Sequence, residues 1–138
     1  MKRLILSLCC LWTALSYAQS ENQVYKGFLH NDEYGVYLRI NLYEQDILIP
    51  GQELLGTLPG FLGKDNNSFC WPIVSAEVKG KKAMLQMVND YGSEDLEAQL
   101  TCEDDSTYVL KQLKGSSIKM PENGKWQKLP RTIMLKRR

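Results

Sequence analysis

In a chain of 138 residues, 17 Lys and Arg against 16 Asp and Glu leave a formal charge of +1, so no broad positive field exists to gather nucleic acid. The single histidine leaves any serine or cysteine nucleophile only one candidate base, which counts against hydrolases of that type. No apolar run is long enough to cross a bilayer as a helix.

The N-terminus, MKRLILSLCCLWTALSYAQS, places two basic residues before an uncharged apolar run from Leu4 to Leu15, followed by the small residues Ser16 and Ala18. This is the layout of a secretory signal peptide over residues 1–18, cleaved after Ala18. Leu8 before Cys9 lacks the small residue that a lipid-modified cysteine needs, which favours a free exported product. Loss of Lys2 and Arg3 takes the charge to about −1, and loss of Cys9 and Cys10 leaves Cys70 and Cys102. An even pair in an oxidising compartment is expected to form one disulfide, worth roughly 3 to 4 kcal/mol in the chain-entropy picture. The remaining residues, 19–138, read as a single domain without repeats or linkers.

The stretch VYKGFL predicts a first strand, closed by the turn HNDEYG, where His30 is expected to face solvent. From Tyr34 the chain reads YGVYLRINLY. Tyr34, Val36, Leu38, Ile40 and Leu42 alternate with Gly35, Tyr37, Arg39, Asn41 and Tyr43, the period-two signature of a strand with one buried face. Tyr37 and Tyr43 then lie on the outer face, as an aromatic patch or a shield over the sheet.

Residues 50–64, PGQELLGTLPGFLGK, interrupt five large apolar side chains with prolines and glycines. Gly56, Pro59 and Gly60 oppose a helix here. Pro50-Gly51 and Pro59-Gly60 bracket a short strand with Leu54, Gly56 and Leu58 on its inner face. That arrangement throws Leu55 outward and leaves Phe61 and Leu62 on a loop, where exposed apolar residues mark a contact surface or a lid. If Cys70 points inward to meet Cys102, Trp71 points outward; a bulge at Pro72 would return it to the core. The outward arrangement makes Trp71 a candidate anchor for a partner.

IVSAEV and KAMLQMV flank the turn KGKK as a hairpin centred on Gly80. DLEAQLTCE alternates again, with Leu96, Ala98, Leu100 and Cys102 inward, and TYVLKQL and TIMLK complete the strands. Trp126, in GKWQKLP, is expected to plug one end of the core. Acidic residues dominate from Asp90 to Asp105, and nine basic residues against Glu122 alone follow from Lys111, so neighbouring strands are expected to pair opposite charges. Asn66, Asn67 and Ser68 form a glycosylation acceptor should the host be eukaryotic.

About eight short strands without an amphipathic helix predict an all-β fold, a small antiparallel barrel or sandwich. Size, export signal and strand number look like the broad group of small secreted or periplasmic β-barrels, which includes lipocalin-like carriers and periplasmic inhibitors or immunity proteins. That likeness is architectural and rests on no motif. No catalytic, metal or cofactor motif stands out, and the expected function is a non-catalytic exported binding protein that recognises another protein, as an inhibitor or immunity-type factor. The candidate contact residues are Leu55, Phe61, Leu62, Trp71, Tyr37 and Tyr43. A lipocalin-like carrier of a small apolar ligand is the alternative, and an enzyme acting on envelope or carbohydrate polymers, which needs two facing carboxylates, is the second.

Overall fold

A computed structural model describes residues 23–138; the export signal read over residues 1–18 lies outside the described residues. In chain order the strands are β1 (Lys26–Asn31), β2 (Val36–Asn41), β3 (Ile47–Leu48), β4 (Thr57–Leu58), β5 (Gly60–Lys64) and β6 (Asn67–Lys79). They continue with β7 (Lys82–Val88), β8 (Asp95–Cys102), β9 (Thr107–Gly115), β10 (Lys119–Glu122), β11 (Lys125–Lys128) and β12 (Thr132–Arg137). Eight of them close into one antiparallel barrel in the order β1-β12-β9-β8-β7-β6-β5-β2. Barrel neighbours follow one another along the chain, so the barrel is an up-and-down meander. Closure removes the free edges that a sandwich would keep.

Alternation supplies the interior. Val36, Leu38 and Ile40 of β2, Leu62 of β5, Trp71 and Ile73 of β6, Leu85 and Met87 of β7, and Leu100 of β8 belong to one buried cluster that fills the barrel axis. Side chains of this bulk pack the lumen of an eight-stranded barrel. Opposite charges do meet across the outer surface where Glu97 stands opposite Lys114.

Two hairpins are inserted into the meander. The β3-β4 hairpin leaves the end of the barrel that also carries the turns at 80–81 and 103–106, and then folds back along the outside. Ile49 on it packs with Phe61 and Cys70 in a second, smaller apolar cluster, joined by Tyr37, Ile47 and Leu58. The β10-β11 hairpin lies across the opposite end, called here the mouth. Its Ile118, Met120 and Leu129 join the barrel core. Buried Gln112 fixes its base, accepting from the Ile118 amide at 2.9 Å and donating to the Pro130 carbonyl at 3.2 Å. Lys64 pairs with Glu122 at 2.9 Å and ties the hairpin to β5.

The seam between β1 and β12 has the shortest ladder of the barrel, with Leu29 opposite Arg137 and His30 opposite Lys136. Side chains reinforce it. Arg137 donates to the carbonyls of Lys26 and Val24, each at 2.7 Å, and to the Tyr108 hydroxyl at 2.5 Å. Asn31 donates to the Met134 carbonyl at 2.7 Å. A Cβ at Gly27 would stand 2.7 Å from Nη1 of Arg137, so glycine is what lets the guanidinium pass over β1.

Several expectations are corrected. Cys70 and Cys102 are both free thiols. Cys70 lies on the outer face of β6 beneath the β3-β4 hairpin, whereas Cys102 packs against the barrel core, so the two sulfurs are on opposite sides of the sheet. The register decides this: Trp71 stands opposite Leu62, both inward, and Cys70 stands opposite Gly63. Phe61 and Leu62 sit on no loop, because β5 is a barrel strand; Leu62 is inward and Phe61 is covered by the hairpin. Leu54, expected inward, lies in a 3-10 turn, Glu53–Leu55, and is fully exposed. Trp126 does not plug the core, since Ile118, Met120 and Leu129 occupy that place and Trp126 faces out.

Burial pushes the Cys70 thiol up to about 12 and also raises that of Cys102. Native protein is therefore expected to keep both thiols, with intact mass showing no loss of two hydrogens. At pH 8, Cys102 should be alkylated by iodoacetamide well before Cys70, which should react only after denaturation. Equal rates for the two would contradict the buried placement of Cys70.

Candidate functional site

Two surfaces combine exposure with chemistry. On the outer face of β1, β2 and β5, the Tyr37 ring lies directly over Gly63, where a Cβ would come within 2.5 Å of the ring. Phe28 stacks on Tyr37 with centroids 5.0 Å apart, and Phe61 meets Tyr37 edge-on at 5.9 Å. Burial raises the Tyr37 phenol, and the neighbouring Cys70 and Asp65 add to the rise. This aromatic row explains the burial of Phe61, Cys70 and Ile49: the β3-β4 hairpin closes over it.

His30 ends the same row. It is buried, not exposed as its turn sequence implies, and its two ring nitrogens lie 2.7 Å from carboxylate oxygens of Asp32 and Asp65. Arg138 in turn pairs with Asp32. With both nitrogens occupied by carboxylates, the imidazole has no free position to serve as base to a hydroxyl or thiol. Its geometry is that of a clamp between the β1-β2 and β5-β6 turns.

The hairpin shows its apolar side to solvent. Leu48, Leu54 and Leu55 are exposed, Leu55 by 48%. Gln52 donates to the Asp90 carbonyl at 2.9 Å, which holds this tip against the turn between β7 and β8. That turn carries Tyr91, 86% exposed, and is built by Asn89, whose side-chain oxygen accepts from the Ser93 amide at 2.8 Å and the Glu94 amide at 3.1 Å. The Gln52 tether therefore holds the segment that carries Leu54 and Leu55 against the turn that carries Tyr91.

The mouth itself holds a cavity of about 510 Å³, within the range typical of small-molecule sites. Phe69 and Trp71 of β6 form one wall, Asp90, Tyr91 and Glu94 of the turn another, and Lys119, Pro121 and Trp126 of the β10-β11 hairpin the third. Trp126 is 69% exposed and Trp71 only 3%.

The sequence-predicted contact residues thus separate. Leu55 is exposed at the hairpin tip, Trp71 lines the mouth cavity, Phe61 and Tyr37 belong to the covered row, and Leu62 is core. Tyr43 is partly exposed at the far end, where its hydroxyl accepts from the Tyr25 amide at 3.1 Å. Reading along the chain missed Tyr91, Phe69, Glu94 and Lys119. The one local signal was an aromatic inside the turn NDYGSED, a place where burial has no means to arise. Among the described residues no group of three His, Cys, Asp or Glu side chains is placed to hold a metal ion.

These features define a closed eight-stranded meander barrel with a capped mouth and an apolar outer hairpin. No family model, curated protein or solved structure matches the chain.

Proposed function

We propose that this is an exported, non-catalytic binding protein that recognises another polypeptide through the tip of the β3-β4 hairpin. The observation that carries the reading is the exposure of Leu48, Leu54 and Leu55 on a hairpin whose opposite side is already buried and which Gln52 ties to the turn that carries Tyr91. Solvent-facing leucines grouped on a tethered tip make a contact patch rather than scattered surface residues. The aromatic neighbour adds the residue type that anchors interfaces. A carrier of an apolar ligand along the barrel axis is disfavoured, because core side chains fill that axis.

The test compares wild-type protein with the Leu54→Asp, Leu55→Asp variant, each purified gently from the exported fraction of its host and weighed by native mass spectrometry. Wild-type protein is expected to carry a second polypeptide that the variant loses by at least tenfold. Both positions are exposed, so the variant should keep its stability within about 0.5 kcal/mol. A variant that retains the partner, or a wild-type protein found only as a bare monomer, would remove the proposal.

A further inference from the structure

We infer that the mouth cavity is a second binding site, built to take a saccharide of two to three rings. This goes beyond the polypeptide contact at the hairpin tip and does not depend on it. Trp71 forms part of the cavity wall while only 3% exposed, yet its indole N–H donates to no group among the described residues. No side-chain nitrogen or oxygen among the described residues is sealed away without a partner, so the N–H keeps solvent access, and the cavity is the open space that Trp71 borders. A deep donor of this kind asks for an acceptor from a ligand.

The rest of the lining narrows the class. Asp90, Glu94 and Lys119 line the cavity, and none of the three is engaged in an ion pair among the described residues. An apolar ligand would strip water from these charges and leave the Trp71 N–H unmet. An anion would meet two carboxylates against one ammonium. A sugar satisfies every group: its hydroxyls donate to Asp90 and Glu94, its oxygens accept from Trp71 and Lys119, and its C–H face lies against the Trp126 indole. A cavity of about 510 Å³ has room for a short oligosaccharide, and the β10-β11 hairpin, held by Lys64 and Glu122, forms one of its walls.

Chitotriose, cellotriose and maltotriose are the probes, titrated into the full exported chain while the indole N–H resonances are followed by NMR. At least one is expected to shift the Trp71 indole resonance, with a Kd of about 1 mM or tighter. Trp71→Phe, which keeps the bulk and removes the donor, should weaken that binding about tenfold. Trp126→Ala, at an exposed position where folding is not at risk, should weaken it by a similar factor. If none of the three shifts the Trp71 resonance at 10 mM, or if binding survives both substitutions unchanged, the inference is overturned. The bound trisaccharide is expected back intact; its cleavage would keep the site but overturn the non-catalytic reading above.

Discussion

Between pH 8 and pH 11 the barrel is expected to lose about 4 kcal/mol of stability, a fall of roughly 15 °C in Tm, and to regain it on return to pH 8. Two buried groups drive this. The Cys70 thiol is pushed from 9.0 to about 12 by burial, with Asp90 adding to the rise. The Tyr25 phenol is pushed from 10.0 to about 12, again by burial first. In the unfolded chain these groups release their protons near the ordinary values, while the folded barrel still holds them. The unfolded state then binds fewer protons, and stability falls as pH rises, from near 9 for the thiol and near 10 for the phenol, up to about 12. Tyr37 and Tyr108, also raised by burial, act in the same direction. Cys70→Val separates the contributions: it should make the profile shallower from pH 9 upward and leave in place the loss driven by the phenols and by Cys102, whose thiol is also raised. Chemical denaturation at half-unit pH steps measures both curves. Coincident curves for wild-type protein and Cys70→Val would mean that the thiol is not buried in the folded chain.

Arg137→Met is expected to cost about 3 kcal/mol, lowering Tm by about 10 °C. The reason lies in the topology of closure. A barrel gains its freedom from open edges only if its first and last strands pair, and here that pairing is a two-residue register. The guanidinium supplies what the ladder lacks, bridging the carbonyls of Val24 and Lys26 and the hydroxyl of Tyr108, with its Cζ 5.6 Å from the Tyr108 ring centroid. Methionine keeps the apolar stem but leaves the Lys26 carbonyl without this donor. Arg137→Lys should recover less than half of the loss, because one ammonium cannot span acceptors that a planar fork reaches together. Hydrogen exchange adds a local readout: amides of β1 and β12 should lose protection first in the methionine variant. A loss below 1 kcal/mol, or uniform loosening of all strands, would show that the seam is not where the barrel is weakest.

How much of this could be read along the chain differs from place to place. The strand Val36–Asn41 and its inward set Val36, Leu38 and Ile40 followed directly from alternation, as did the β6-β7 hairpin around Gly80 and the inward face of β8. Errors cluster where a segment packs against the outside of the barrel. Ile49, Phe61 and Cys70 are buried because an inserted hairpin folds back over them, and nothing local announces a second layer. His30 stands near the end of β1, just before a polar turn, and Asp65, which arrives from a separate turn, encloses it. The candidate site suffered most: its lining comes from three segments far apart in sequence, and among its residues only Trp71 is legible along the chain as a contact residue.

That this chain builds antiparallel strands with one apolar face is legible along the chain, because side-chain alternation is a property of the extended backbone and needs no partner to be visible. The places of the turns are legible too, since glycine, proline and the Asx residues act on their own backbone neighbours. Which face of β6 is inward emerges only from strand pairing. That choice depends on pairing Trp71 with Leu62 and Cys70 with Gly63, and a shift of one residue would exchange every side chain between lumen and surface. Pairing separates the two thiols for the same reason. Packing likewise places Trp126 outside while Ile118, Met120 and Leu129 cap the core, because the β10-β11 hairpin lies across one end of the closed barrel and the fit of the whole hairpin, rather than the size of one residue, settles which side chains enter.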